Sequence, residues 1–276
     1  MNTKTKHIIQ TILQNIVAWI ASLMVLLPLI LIVLNAFKAN GETMTMTLQL
    51  PKEWIFDNFG VVIEKGKLLN SFKNSMIYAG LSTILTIFFG SMSAYVFSRR
   101  RTKGFSALYM YLILGMVIPV NYVALMKVMQ MTNLNNSAIG IILLYTALQT
   151  PFSVFLIYGF VSKIPVELDE AAVIDGATPA RLYFSIVFPL LKPAVVTASV
   201  LCFLNTWNEF TMPLYFLNSS EKWPMTLAVY NFFGQFEMNW NLICADVILT
   251  CAPVLIMYLL CQKYIVGGAT AGAVKG

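Results

Sequence analysis

Charge is scarce in this chain. Of its 276 residues only 11% are Asp, Glu, Lys or Arg and 58% are hydrophobic, where soluble domains carry about one quarter charged residues. With a mean hydropathy of +0.75, a water-soluble globule is excluded. Histidine occurs once and cysteine four times. Cys202, Cys244, Cys251 and Cys261 all lie within apolar runs, where a thiol behaves as a small apolar side chain. Neither a disulfide frame nor a metal cage is indicated. The phosphate-cradling pattern GxxxxGK[ST] is missing, as are low-complexity tracts and a strong internal repeat. The chain therefore does not bind ATP in the P-loop manner. Residues 16–34 contain no charge and no polar–apolar alternation, which argues against a β-barrel. Helices remain as the way to satisfy a backbone in lipid.

What is abundant is apolar sequence in long runs. About 20 helical residues cross a bilayer, and six stretches qualify: 12–37, 76–97, 105–126, 138–161, 194–217 and 242–264. An all-α, polytopic membrane protein with six transmembrane helices is expected. The first run follows Lys4, Lys6 and His7, yet it outruns a signal-peptide core and no small-residue cleavage site follows cleanly. Basic residues in short loops mark the cytoplasmic side. Lys4 and Lys6 before the first run, and Arg99, Arg100, Arg101 and Lys103 between the second and third, place both termini inside. Lys163, Arg181, Lys192, Lys263 and Lys275 then also fall inside. Lys38, Lys52, Lys65, Lys67 and Lys73 fall outside, in a longer segment that also carries Glu42, Glu53, Asp57 and Glu64. The net charge of +6 reads as membrane topology, and no nucleic-acid partner is expected.

The polar insert 163–193, KIPVELDEAAVIDGATPARLYFSIVFPLLKP, stands between two apolar runs. Pro165 suits a helix start, and Glu167, Asp169 and Glu170 put negative charge in the first turns, where the helix dipole favours it. Gly176 can adopt a left-handed cap after Asp175. A second helix is predicted from Thr178 as N-cap and Pro179 as first residue, running to Val187 until Pro189 stops it. Ala171 and Ala172 would let a partner surface approach the backbone closely. An amphipathic helix lying on lipid, with Leu168, Ile174, Leu182 and Phe184 dipping in, is the competing reading. Such helices usually have basic polar faces, and this one is acidic, so protein docking is favoured.

Glu170-Ala171-Ala172, then Gly176, Ile186 and Pro189, resembles the EAA loop of permease subunits of ATP-binding cassette (ABC) importers. Phe188 stands where the family has leucine. The surrounding DEAAVIDGA is similar to the carbohydrate branch. Trp207-Asn208-Glu209-Phe210 with Pro213, and the glycine-rich tail 267–276, resemble maltose-importer permeases. The resemblance runs over 71–276 and implies the type I ABC importer permease fold. Its parts are one transmembrane domain over 1–276, core helices two to six over 71–264, a cytoplasmic coupling loop over 163–193 and a cytoplasmic tail over 265–276. The implied partners are a second homologous permease, two cytoplasmic ATPase subunits that bind ATP and Mg, and an extracytoplasmic sugar-binding protein. The implied setting is the plasma membrane of a prokaryote. The chain itself would hold no cofactor and catalyse no reaction. Glu170, Ala171, Ala172, Asp175, Gly176, Arg181 and Pro189 become the docking residues, and the tail would reach the ATPases or simply fray.

Polar groups inside a membrane are costly and often functional, which singles out Asn205, Asn208 and Glu209, with Trp207 as a stacking surface for a sugar ring. Helix-to-helix hydrogen bonds explain the same asparagines, and that structural reading is preferred. Asn121, Tyr122, Tyr145 and Gln149 raise the same question. Lys127 and Asp246 lie near outer ends, where long or charged side chains reach the interface. The aromatic loop 218–241 suits either the headgroup layer or the delivering protein. An ion-coupled secondary carrier with Glu209 or Asp246 carrying a proton is the alternative function, but it gives the acidic insert no role. A receptor or scaffold is a third. Which sugar would be carried is not legible.

Overall fold

The computed structural model describes residues 3–233 and 238–273, with side chains at 7 and over 10–233 and 238–262. Apart from a single antiparallel bridge between Phe233 and Met238, regular structure among these residues is helical. The helices are α1 (Thr3–Ala36), α2 (Asn40–Thr43), α3 (Asp57–Lys65), α4 (Leu68–Arg99), α5 (Lys103–Leu114), α6 (Tyr122–Met131), α7 (Ala138–Val161), α8 (Glu167–Ile174), α9 (Pro179–Arg181), α10 (Phe188–Leu190), α11 (Lys192–Asn208), α12 (Thr211–Phe216), α13 (Met225–Ala228) and α14 (Trp240–Ala273). A π-helical turn, Leu182–Val187, joins α9 to α10.

Among the described residues, four helices are long and apolar enough to cross a membrane: Gln10–Ala36 in α1, α4, α7 and Trp240–Gln262 in α14. Pro179–Leu190 together with Lys192–Asn208 makes a further candidate, bent by 77°. Two of the six predicted spans are therefore not continuous. The run 105–126 breaks between α5 and α6. Pro119 has no N–H and pushes Ile118 away from helical geometry, and Asn121 restarts the helix by accepting the Ala124 amide at 3.0 Å. The run 194–217 breaks at Glu209, whose backbone is extended. Run length alone does not register either break, because the interrupting residues are few among many apolar ones. At the other end of the chain, α14 continues nine residues past the predicted end at 264, to Ala273.

The chain divides into two compact units, Met1–Leu68 with Ala228–Ala252, and Leu69–Leu227 with Pro253–Gly276. In the first unit Lys38 is 1% exposed. Its Nζ donates to Asn35 Oδ1 at 3.1 Å, to the Thr47 carbonyl at 2.8 Å and to Thr47 Oγ1 at 3.2 Å. Expected in a water-facing segment, this lysine instead folds the segment back on the end of α1. Asn58 donates to the carbonyls of Ala36 and Lys38 at 2.8 and 3.0 Å and accepts from Asn241 at 3.0 Å. Asp246, expected to reach the interface, is 1% exposed with one carboxylate oxygen lacking a partner. Its position nearly two turns into α14, between buried Ala245 and half-buried neighbours, keeps it from the surface.

The second unit holds the insert. One apolar cluster packs α4, α7, α8, the π turn and α11 through Ala94, Val154, Ile157, Ala172, Val187 and Ala198. Gly90 permits the approach of α7, because a Cβ there would meet Ser153 Oγ at 2.6 Å. Small residues of this kind let membrane helices pack closely.

Candidate functional site

The insert folds as two short helical pieces. α8 carries Glu167, Asp169 and Glu170 in its first turn and ends in a Schellman turn: the Gly176 amide donates to Val173 O at 3.0 Å and the Ala177 amide to Ala172 O at 2.9 Å. Gly176 has φ of +80°, a conformation that suits glycine. Thr178 caps the next piece through Oγ1, which accepts the Arg181 amide at 3.3 Å, with Pro179 in the first turn. Helical structure does not stop at Pro189 as expected. The missing proline N–H is accommodated by widening the turn: the Phe188 amide reaches back to Tyr183 O, five residues away, and Pro189 then occupies the opening turn of α10. Such π turns recur at functional positions.

One face of α8 is exposed. Glu167, Glu170 and Ala171 lie on it, Val173 is 60% and Ile174 85% exposed, and Asp175, Gly176, Arg181 and Pro189 are exposed as well. Ala172 differs from expectation. At 5% exposure it belongs to the apolar cluster, because it lies on the opposite side of α8 from Ile174; its small side chain lets α8 approach its own core.

Asp169 is the carboxylate of the first turn that is buried. Arg99 Nε donates to its Oδ2 at 2.8 Å and Nη2 to its Oδ1 at 3.3 Å, while Tyr95 OH donates to Oδ2 at 2.9 Å. The side chains are 13% and 12% exposed. Arg99 Nη1 also donates to Ile164 O at 3.1 Å, and Tyr183 OH meets Ser91 Oγ at 2.6 Å. In the sequence Arg99 reads as a topology marker and Asp169 as one of three first-turn acids, and nothing there pairs the two. The signal that was there is the spacing Ser91, Tyr95, Arg99, three polar-tipped residues four apart at the end of an apolar helix.

The residues singled out within the membrane separate into two groups. Asn121 and Tyr122 line an open cleft of ≈ 640 Å³ with Lys127, Gln130 and Tyr215, and the rings of Tyr122 and Tyr215 lie 5.1 Å apart. Asn205 and Asn208 are exposed at the end of α11. Trp207 is 3% exposed, with Phe72 edge-on at 5.9 Å and Phe203 stacked at 5.7 Å, so its ring is covered by the protein's own aromatics. Glu209 Oε1 accepts the amides of Thr211 at 2.7 Å and Met212 at 3.1 Å, and its carbonyl accepts from Thr226 at 2.9 Å. The carboxylate is the cap of α12. Of the tail, 274–276 lies outside the described residues.

Several apolar helices, with a polar helical insert packed against α4, α7 and α11, make this a multi-pass membrane protein. Residues 86–265 match the family described as binding-protein-dependent transport system inner membrane component, and the chain belongs to that family. It is 36% identical over 277 residues to the melibiose/raffinose/stachyose import permease protein MelC of Bacillus subtilis (strain 168), covering 99% of this chain and 98% of MelC. It is 33% identical over 268 residues to the probable starch degradation products transport system permease protein AmyC of Thermoanaerobacterium thermosulfurigenes, covering 97% and 98%. Among solved structures, a bacterial ABC transporter involved in the import of the acidic polysaccharide alginate matches with a TM-score of 0.83 at 21% identity, over 96% of this chain and 99% of that one. The expected fold is the one observed.

Proposed function

We propose that this chain is one of two permease subunits of an ATP-driven importer, that it passes a sugar delivered by an extracytoplasmic binding protein, and that its α8 is the element gripped by an ATPase subunit. The sugar assignment is supported by relatives named for melibiose, raffinose, stachyose and starch products. The observation that carries the coupling role is the surface of α8, where large apolar side chains at Val173 and Ile174 stand exposed beside Glu170 and Asp175. An acidic polar face is repelled by an anionic headgroup layer and matches a protein cleft with basic side chains, which pair with carboxylates through short charge-assisted bonds. In this reading the insert, both termini and the tail 265–276 face the cytoplasm, and ATP and Mg stay on the partner subunits. Asn121 and Tyr122 with Tyr215 form the sugar path of this subunit, since aromatic faces and amides are the groups that bind sugar rings and hydroxyls. Asn205 and Asn208, exposed at the end of α11, are further candidates for sugar contact, Glu209 caps the start of α12, and Trp207 stays within the protein core. Glu170, Ala171, Asp175, Gly176, Arg181 and Pro189 shape the docking surface, with Ala172 behind it.

Purification of the tagged chain from its native membrane, with Mg-ATP hydrolysis measured on what accompanies it, tests the proposal. A nucleotide-hydrolysing subunit should co-purify with the wild type and be lost or strongly depleted with Glu170→Arg. Recovery of an active carrier without any such subunit would sink the importer reading.

A further inference from the structure

α4 presents Ser91, Tyr95 and Arg99 at intervals of four. With 3.6 residues per turn, such residues form one stripe that drifts slowly around the helix. Every member of this stripe holds a residue of the insert. Ser91 Oγ meets Tyr183 OH at 2.6 Å, Tyr95 OH donates to Asp169 Oδ2 at 2.9 Å, and Arg99 forks onto both oxygens of Asp169 at 2.8 and 3.3 Å. A fifth bond, from Arg99 Nη1 to Ile164 O at 3.1 Å, fixes the connection that leads into α8. Tyr95 and Tyr183 also touch, with ring centroids 5.6 Å apart.

These bonds do something the apolar packing around them does not. Ala172, Leu182 and Val187 lie in one cluster with Ala94, Val154 and Ile157, and such contacts are non-directional. They resist separation of α8 from the core more than they resist sliding or rolling. A guanidinium fork on a carboxylate is planar and directional, and here a third donor, the Tyr95 hydroxyl, meets the same carboxylate. α8 therefore has a fixed roll and a fixed axial position relative to the last turns of α4. The route along the chain from α8 to α11 passes instead through a glycine turn, a π turn and a bend of 77°, each of which can yield.

We infer that Asp169, Arg99 and Tyr95 form a clamp that makes α4 the direct recipient of force applied to α8, so that these three are positioning residues for energy coupling. The inference rests on α8 being the ATPase-docking element proposed above. A load on the exposed Glu170–Ile174 face would move α4 as one body with α8, whereas without the clamp α8 could roll beneath a stationary α4. The clamp residues face inward, so their loss removes transmission while the docking face keeps its side chains.

The test separates docking from transmission. The complete complex is purified with its ATPase subunits and binding protein and placed in proteoliposomes. The transported probe is whichever of melibiose, raffinose and maltotriose the wild type takes up fastest. Sugar uptake and ATP hydrolysis are measured on the same vesicles. With Asp169→Asn the ATPase subunits should still co-purify, while sugar moved per ATP falls about tenfold, a coupling change of ordinary size for linked sites. Arg99→Lys keeps the charge without the fork and should fall between that variant and the wild type. The exchange Asp169→Arg with Arg99→Asp should recover a substantial part of the loss. Tyr95→Phe removes one hydroxyl from a packed ring and should lower the ratio about twofold to threefold, equivalent to one modest hydrogen bond, with assembly intact. A wild-type ratio in Asp169→Asn or in Tyr95→Phe would overturn the clamp. So would failure of the exchanged pair to recover any coupling in a complex that assembles. If the wild-type chain never carries an ATPase subunit, the docking reading fails instead.

Discussion

Glu209 offers a sharp separation between a structural carboxylate and a proton carrier. Its Oε1 accepts two amides at the start of α12, at 2.7 and 3.1 Å, at the point where the long apolar run 194–217 breaks. Glu209→Ala leaves both amides without that acceptor. An N-cap truncation costs about 1 kcal/mol, up to about 2, and a buried donor left unsatisfied costs about 1–3 kcal/mol. The two descriptions overlap and are not added, so the expected loss is about 1–3 kcal/mol for the truncation. Glu209→Gln keeps a carbonyl oxygen at the same reach, and the expected loss is about 1 kcal/mol, the difference between a charge-assisted and a neutral bond. Denaturant-induced unfolding in mixed micelles, followed by tryptophan fluorescence, measures both. Sugar uptake should follow stability, with Gln retaining most activity and Ala little. A Gln variant as inactive as the Ala variant, yet folded, would refute the capping argument and revive a proton-carrying carboxylate.

Two more expectations concern the insert and its support. Gly176→Ala meets no atoms within 4 Å, so its whole effect is backbone strain at φ +80°, about 1 kcal/mol; it should lower coupling of ATP hydrolysis to uptake while membrane insertion and thermal stability stay near wild type, and a coupling ratio unchanged by Gly176→Pro would remove the turn from the mechanism. Gly90→Val should force α4 from α7, because even its Cβ lies 2.6 Å from Ser153 Oγ, with a loss of about 1–3 kcal/mol for overpacking; a double variant with Ser153→Gly should regain part of that in a thermal-shift assay, and no recovery would mean that the contact is not what limits the approach.

The outline of this protein was legible because lipid leaves a chain few choices. A run such as 138–161 has to be a helix, and α7 has the same bounds. The insert was legible for a different reason. Gly176, Thr178 and Pro179 act through their own backbone geometry, so their roles do not depend on what surrounds them. The breaks at 115–121 and at Glu209 were not legible from hydropathy, since a single capping side chain outweighs a dozen apolar neighbours only when the fold supplies the amides to cap. Asp169 shows the same limit more plainly. Beside Glu167 and Glu170 it reads as one of three equivalent acids in a first turn, and only the arrival of Arg99 from about 70 residues upstream distinguishes it. For Trp207 the choice between a sugar-stacking surface and a packed side chain was open in the sequence, because Phe72, which lies against its ring, is distant in the chain.

The most direct measurement is a contact at α8 itself. In a chain with Cys251 and Cys261 replaced by serine, leaving only the buried Cys202 and Cys244, Ala171→Cys is treated with a short thiol-to-amine cross-linker in native membranes. The expected product joins this chain to a nucleotide-hydrolysing subunit and changes in yield when ATP is added. Labelling of the same cysteine by an impermeant reagent from the outer face of sealed cells, with no such product, would contradict the coupling role of the insert.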